Sequence, residues 1–307
     1  MIQNVFSTLF QVIVPLAIPV IAGVLLVRFK GFETKQLLTV ILYFMFPCMV
    51  FNTLFNAQVS FVDLYKTALF SLLNMILLWA AAKIAGKILR LPAQKAAGLT
   101  LVSTLTNSIN YGLPLVLLAF GQAGLEKASI YVITQIILVN TAGVFFAARS
   151  NFSIKKAIKS IFSYPAVYAA ILAVILRALS LNMPTEIGTG IDMVAKSYSP
   201  VVLVILGAQM AGVKKSRLDR DSQKAFWSGM AIRMLLSPLI ACVVLYMLGV
   251  SGTLFSVLFI LASMPVAVNA VIFAEEFDAS ASIVSKCILW TTLGSFIVLP
   301  FLIELVR

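Results

Sequence analysis

Two stretches of this chain combine side chains that can hold an anion with residues that cannot continue a helix. The first, Thr106 to Leu115 (TNSINYGLPL), carries Asn107, Asn110, Gly112 and Pro114 inside a run, Ala96 to Leu125, that has no charged side chain. The second, SMPVAVNAVIFAEEF, carries Ser263, Pro265 and Asn269. Asparagine amides and unpaired backbone N–H groups are good partners for a carboxylate. Proline removes a backbone donor, and its ring collides with the carbonyl one turn earlier. In hydrocarbon the freed backbone groups are costly unless protein, water or a ligand satisfies them, so a broken helix is tolerated there only where it lines a cavity. Both stretches are therefore candidate ligand sites inside a membrane. The competing reading is that such Pro and Asn residues only kink or cross-link helices.

The elements that carry these stretches follow from composition. Of 307 residues, 61% are hydrophobic and 11% charged, and the mean hydropathy is +1.05. A soluble domain of this size carries far more polar surface, so the chain reads as an all-α polytopic membrane protein. The net charge of +12 does not point to nucleic acid, because the basic residues sit in short loops between apolar runs. Cys48, Cys242 and Cys287 lie in or beside apolar runs, which argues against a disulfide framework or zinc site, and there is no histidine to act as base or ligand. The first apolar run has no basic lead and reads as a span, not a signal peptide.

Ten spans can be drawn, at about 8–27, 37–55, 67–87, 97–120, 128–148, 162–179, 191–213, 225–248, 253–275 and 282–303. Basic residues gather on one side, for example Arg28 and Lys30, Lys87 and Arg90, Lys155 and Lys156, and Lys214 and Lys215. The positive-inside bias makes that side cytoplasmic, and an even span count puts both termini outside the cytoplasm of a cell (plasma or inner) membrane. Three proline pairs recur at about half the chain length: Pro15 and Pro165, Pro47 and Pro200, Pro114 and Pro265. Five spans per half would invert the second copy, giving a first repeat at 1–148, a basic loop at 149–161 and a second repeat at 162–307. Inverted repeats of this kind underlie many secondary carriers, whose broken helices cross near the bilayer midplane.

The segment MPVAVNAVIFAEEFDASASIVSKCILWTTLGSFIVLP, the Asn107…Gly112-x-Pro114 pattern followed by Phe120-Gly121, and LGAQMAG (206–212) together resemble the auxin efflux carrier family, whose bacterial members are often labelled malate or malonate permeases. The resemblance spans nearly the whole chain. It implies two inverted five-helix repeats with crossed fourth and ninth helices, the arrangement of the sodium/bile-acid symporters and NhaA-like antiporters, divided into a scaffold and a moving part. It also implies a substrate carboxylate at the proline crossover, which carries over to Asn110, Pro114 and Pro265 with Asn107 and Asn269 close by, and a homodimer. The long cytoplasmic loop of the plant hormone exporters is missing, and the substrates implied are mono- or dicarboxylates such as malate or malonate, or auxin-like acids.

Gln135, Asn140 and Gln209, with Pro47 and Pro200, are candidate pathway residues; interhelical hydrogen bonding explains the amides equally well. Arg233, eight residues into its span, reads as an arginine snorkelling to the cytoplasmic face, with an anion-attracting role as the alternative. Glu275 and Glu276 fall roughly 15 Å beyond Pro265, near the cytoplasmic end. No carboxylate or histidine lies at the expected centre, and no cofactor is expected. The reading is an alternating-access carrier of a small organic anion, a mono- or dicarboxylate. Coupling to sodium or protons, or a non-transporting membrane sensor, are the alternatives. Paired catalytic aspartates, HExxH and serine–histidine sets are missing, which argues against an enzyme.

Overall fold

The computed structural model describes residues 2–57, 60–139, 162–213 and 218–307. The described residues are helical, with no strand among them beyond a single isolated bridge. In chain order the helices are α1 (Asn4–Lys30), α2 (Lys35–Asn56), α3 (Phe61–Ile88), α4 (Ala93–Thr104), α5 (Ser108–Leu138), α6 (Pro165–Ala178), α7 (Thr185–Ala211), α8 (Arg220–Met247), α9 (Gly252–Ala262), α10 (Ala270–Glu276) and α11 (Ala281–Val306). Seven of these described helices (α1, α2, α3, α5, α7, α8 and α11) are long and apolar enough to cross a membrane, and α6 and α9 are shorter apolar helices.

Proline inside an apolar helix has a regular local solution here. Pro15, Pro47, Pro114 and Pro238 each follow a five-residue π turn, at Leu9–Ile13, Ile41–Met45, Ser108–Gly112 and Ile232–Leu236. The residue just before each proline donates its N–H five residues back, Val14 to Leu9, Phe46 to Ile41, Leu113 to Ser108 and Ser237 to Ile232. Widening the turn moves the carbonyl that the proline ring would strike, so these helices continue instead of breaking. Pro19, Pro200 and Pro300 lie inside helix without such a turn.

α5 is one helical run by hydrogen bonding but two rods by direction. Gly121 has φ 65° and ψ −160°, which glycine alone adopts readily. A Cβ on Gly124 would lie 3.2 Å from Cγ1 of Val116, eight residues earlier. On a straight helix those residues stand about 12 Å apart along the axis. The chain therefore folds back at Gly121, and the expected division near residue 120 lies here.

The helices gather into two packed groups. In one, α1 packs along α7, and α2 packs on α6 and α7. The α1–α7 contact is backbone against backbone: a Cβ on Gly23 would stand 2.0 Å from the Val204 carbonyl oxygen, and one on Gly207 1.9 Å from that of Val20. Small residues let helices approach this closely in a bilayer, where van der Waals contact drives association. Asn52 Nδ2 donates to Asp192 Oδ1 at 3.3 Å, and Arg177 Nη1 to the Phe55 carbonyl at 2.9 Å, tying α2 to α7 and α6. In the other group α3 packs on α4, α5 and α8, α8 on α4 and α11, and α9 on α5. A half-buried Lys127–Asp63 pair at 2.7 Å joins α5 to the start of α3.

Candidate functional site

The site is built where α4 and α9 stop. α4 ends at Thr104 and α9 at Ala262, and the chain resumes as helix at Ser108 and Ala270. The two interruptions lie against each other as an antiparallel bridge between Thr106 and Val266. The Asn107 N–H donates to the Pro265 carbonyl at 2.8 Å, and the Ala267 N–H to the Leu105 carbonyl at 3.0 Å. The Val266 N–H, fully buried, reaches Oγ1 of Thr291 on α11 at 3.1 Å. Backbone donors that helix termination would strand in an apolar medium thus find partners in the opposite break. The bonds pair 107 with 265 and 105 with 267 around the central bridge of 106 with 266, an offset of 160 residues (266 − 106). The proline pairing read from sequence used an offset of 151; Pro114 instead sits nine residues beyond Leu105, in the first turn of helix after the π turn.

Asn107 is 3% exposed, and its Nδ2 has no hydrogen-bond partner. It stands at the N-terminal entry of α5, where unpaired N–H groups and the helix dipole favour negative charge. Asn110 is buried on the π turn. Gly112 lies tight against the end of α9: a Cβ there would stand 2.7 Å from Cδ2 of Leu261. Ser263 is buried at the end of α9, with its hydroxyl donating back to the Phe259 carbonyl at 2.7 Å. Pro265 is buried within the break and supplies the carbonyl to Asn107, whereas Asn269 is exposed at the start of α10. The structure thus brings Asn107, Gly112, Ser263 and Pro265 together at the crossing.

Of the expected pathway residues, Gln135 is buried near the Tyr131 hydroxyl. Pro114 and Pro200 line an open cleft of about 570 Å³ between α1, the first rod of α5 and α7, together with Pro15, Pro19, Leu117 and Leu203. Its lining contains no charged side chain. Gln209 on α7 has a buried Oε1 without a partner, and Pro47 is half-buried on α2, outside the cleft. Asn140 lies outside the described residues.

Sequence reasoning missed several polar residues at the crossing. The hydroxyls of Thr106 and Ser108 are 2.6 Å apart, and the buried Tyr131 hydroxyl lies among Thr106, Ser108 and Gln135 without hydrogen-bond geometry to any of them. Single hydroxyls in apolar helices usually bond back to their own backbone, as Thr100, Ser103 and Thr104 of α4 do, so residue type alone does not mark them. Arg233 is a correction: it has no exposed surface, and its guanidinium points into the protein instead of snorkelling to the cytoplasmic face. Its place beside the uncharged run from Met234 to Ala274 was the available signal. Among the described residues no three Asp, Glu or Cys side chains come together as metal ligands.

Apolar helices of spanning length, with two interrupted helices paired through their backbones, define a multi-pass membrane protein. Residues 6–303 match the family described as membrane transport protein, and the chain belongs to that family, which includes the auxin efflux carriers. It is 28% identical over 270 residues to an uncharacterized transporter of Methanothermobacter thermautotrophicus, covering 87% of each chain. It is 24% identical over 279 residues to an uncharacterized transporter of Methanocaldococcus jannaschii, covering 88% of this chain and 89% of that one. A probable auxin efflux carrier component of Oryza sativa subsp. japonica is 26% identical over 148 residues, 47% of this chain and 34% of that protein. The protein is a membrane transporter and not an enzyme.

Proposed function

We propose that this transporter carries a small organic anion by alternating access, with the carboxylate held at the crossing. The observation that carries the reading is the buried, unpartnered amide of Asn107 at the entry to α5. An unsatisfied buried donor costs about 1–3 kcal/mol, a cost that a carboxylate oxygen would remove. Asn110, Pro114 and Pro265 complete the site, Ser263 and Asn269 flank it, and Gln135 and Gln209 line the pathway. In this reading the helices form ten spans in two inverted repeats, 1–148 and 162–307. α1, α2, α6 and α7 serve as scaffold, and the remaining helices move against it. The carrier is a homodimer in the cell membrane with both termini outside the cytoplasm. The membrane potential then favours anion export by ~2.3 kcal/mol per charge per 100 mV.

The uncharged cleft beside Pro114 supports one choice within this class. It suits a monocarboxylate with an alkyl or aryl body better than malate or malonate, whose second charge would be desolvated there. Counterflow in proteoliposomes tests the reading. A labelled acid should enter faster when unlabelled acid is trapped inside, and aryl monocarboxylates should compete better than malate. Folded protein that gives no counterflow with any mono- or dicarboxylate would refute the proposal.

A further inference from the structure

The crossing leaves two carbonyls without their helical partners. In a continuous α4 the Ser103 carbonyl would accept from the N–H of Asn107, but that N–H goes to Pro265. In a continuous α9 the Ala262 carbonyl would accept from the N–H of Val266, but that N–H goes to Thr291. One side chain takes both. Arg233, fully buried in the π turn of α8, donates through Nη1 to the Ser103 carbonyl at 3.0 Å and through Nη2 to the Ala262 carbonyl at 2.5 Å. Nη2 also contacts the hydroxyl of Ser237, which itself donates to the Ala262 carbonyl at 2.9 Å. A single planar guanidinium therefore spans the C-terminal ends of both interrupted helices.

The charge arithmetic is consistent with this geometry. Among the ion pairs of the described residues none involves Arg233. An arginine inside a membrane protein without a carboxylate needs another source of negative potential. Each helix C-terminus carries roughly half a negative charge, so two converging ends supply about one in total. In transporters with broken helices, unwound carbonyls and half-helix C-terminal ends are where a coupling cation is coordinated. Here the corresponding carbonyls already have a cation, and it is covalently part of the chain.

We propose that Arg233 is a tethered counter-cation: a positioning residue that supplies at the crossing the charge a coupling ion would otherwise bring, so that the carrier works without sodium. The transport clause rests on the organic-anion reading above; the binding clause does not. Because a guanidinium stays protonated throughout the physiological range, Arg233 does not carry a coupled proton either.

The test compares wild type with Arg233→Lys and Arg233→Ala, each purified and followed by thermal unfolding in sodium, guanidinium or choline chloride at equal ionic strength. Wild type should unfold at the same temperature in sodium and choline. Arg233→Lys should stay close to it, and Arg233→Ala should unfold about 5–10 °C lower. Millimolar guanidinium or sodium should recover part of that loss in Arg233→Ala and leave wild type unmoved. In proteoliposomes, Arg233→Ala should lose at least about tenfold in anion counterflow, with guanidinium restoring a measurable part. Sodium stabilising wild type, or accelerating its transport, over choline would overturn the proposal. So would an Arg233→Ala protein that no small cation stabilises, or an Arg233→Lys protein as impaired as the alanine variant. If Arg233→Ala cannot be purified, the wild-type and lysine comparisons decide the matter. Unfolding needs no substrate, so a failure of the organic-anion reading would appear only in the transport arm.

Discussion

The bond from Val266 to Thr291 offers a clean perturbation of the crossing. Both residues are fully buried, and Oγ1 of Thr291 accepts the Val266 N–H at 3.1 Å while donating to the Cys287 carbonyl at 2.6 Å. Thr291→Val keeps the side-chain shape and removes only the hydroxyl. The Cys287 carbonyl retains its place in the α11 ladder, so losing that contact costs little. The Val266 N–H cannot return to Ala262, whose carbonyl is held by Arg233 and Ser237. It becomes a buried donor without a partner, which costs about 1–3 kcal/mol. For a chain of this size, each kcal/mol lowers the unfolding midpoint by about 2–4 °C, giving an expected drop of about 2–12 °C. Thr291→Ser keeps the acceptor and should fall by less than half as much. The assay is thermal unfolding in detergent, with anion counterflow measured on the same preparations. A Thr291→Val midpoint within about 1 °C of wild type would refute the claim that α11 holds the broken strand of the crossing.

Three further outcomes follow from the same geometry. Asn107→Ala removes an amide donor that has no partner, so the ligand-free unfolding midpoint should not fall below that of wild type while the shift caused by a bound organic acid disappears; a ligand-induced shift equal to wild type would remove Asn107 from the site. Gly207→Ala places a methyl 1.9 Å from the Val20 carbonyl oxygen, a backbone atom that cannot rotate away, so α1 and α7 must separate; the loss should exceed about 3 kcal/mol and appear as poor yield and early unfolding. Lys95 holds the Asp219 carboxylate at 2.7 Å and, with the Ser222 N–H, lowers its pKa from 3.8 to about 2. A depressed carboxylate pKa stabilises the folded state above 3.8, and that contribution is lost as pH falls through about 2. Asp219→Asn should therefore leave the pH profile of unfolding unchanged between about 5 and 8, and any difference from wild type should narrow below about 4.

Much of the architecture was legible because a bilayer restricts what a chain can do. Apolar runs of spanning length predict helices, and the helices lie close to where those runs fall. Asn107 and Pro265 marked the two interruptions because proline and asparagine are poorly accommodated in a helix surrounded by hydrocarbon. Other details depended on neighbours. Pro15, Pro47 and Pro238 share the chemistry of Pro265 but sit in continuous helices, because a π turn can absorb a proline where helix packing favours continuity. The sequence cannot distinguish a proline that breaks a helix from one that widens it.

The same limit applies to the polar groups. Ser263 was expected to face the ligand, yet its hydroxyl bonds back to Phe259, and Thr291 received no attention although it holds the break. Arg233 was assigned to the surface by its distance along one helix, a one-dimensional measure that cannot show two other helices ending at its guanidinium. Residue types and their spacing determined that this chain spans a membrane and where its helices are interrupted, because those properties follow from local transfer and backbone energies. Only the tertiary structure decided which stranded donors and acceptors meet across the breaks and where the buried positive charge is compensated, because both depend on separate helices brought together from distant parts of the chain, as Arg233 and Ser103 are from 130 residues apart.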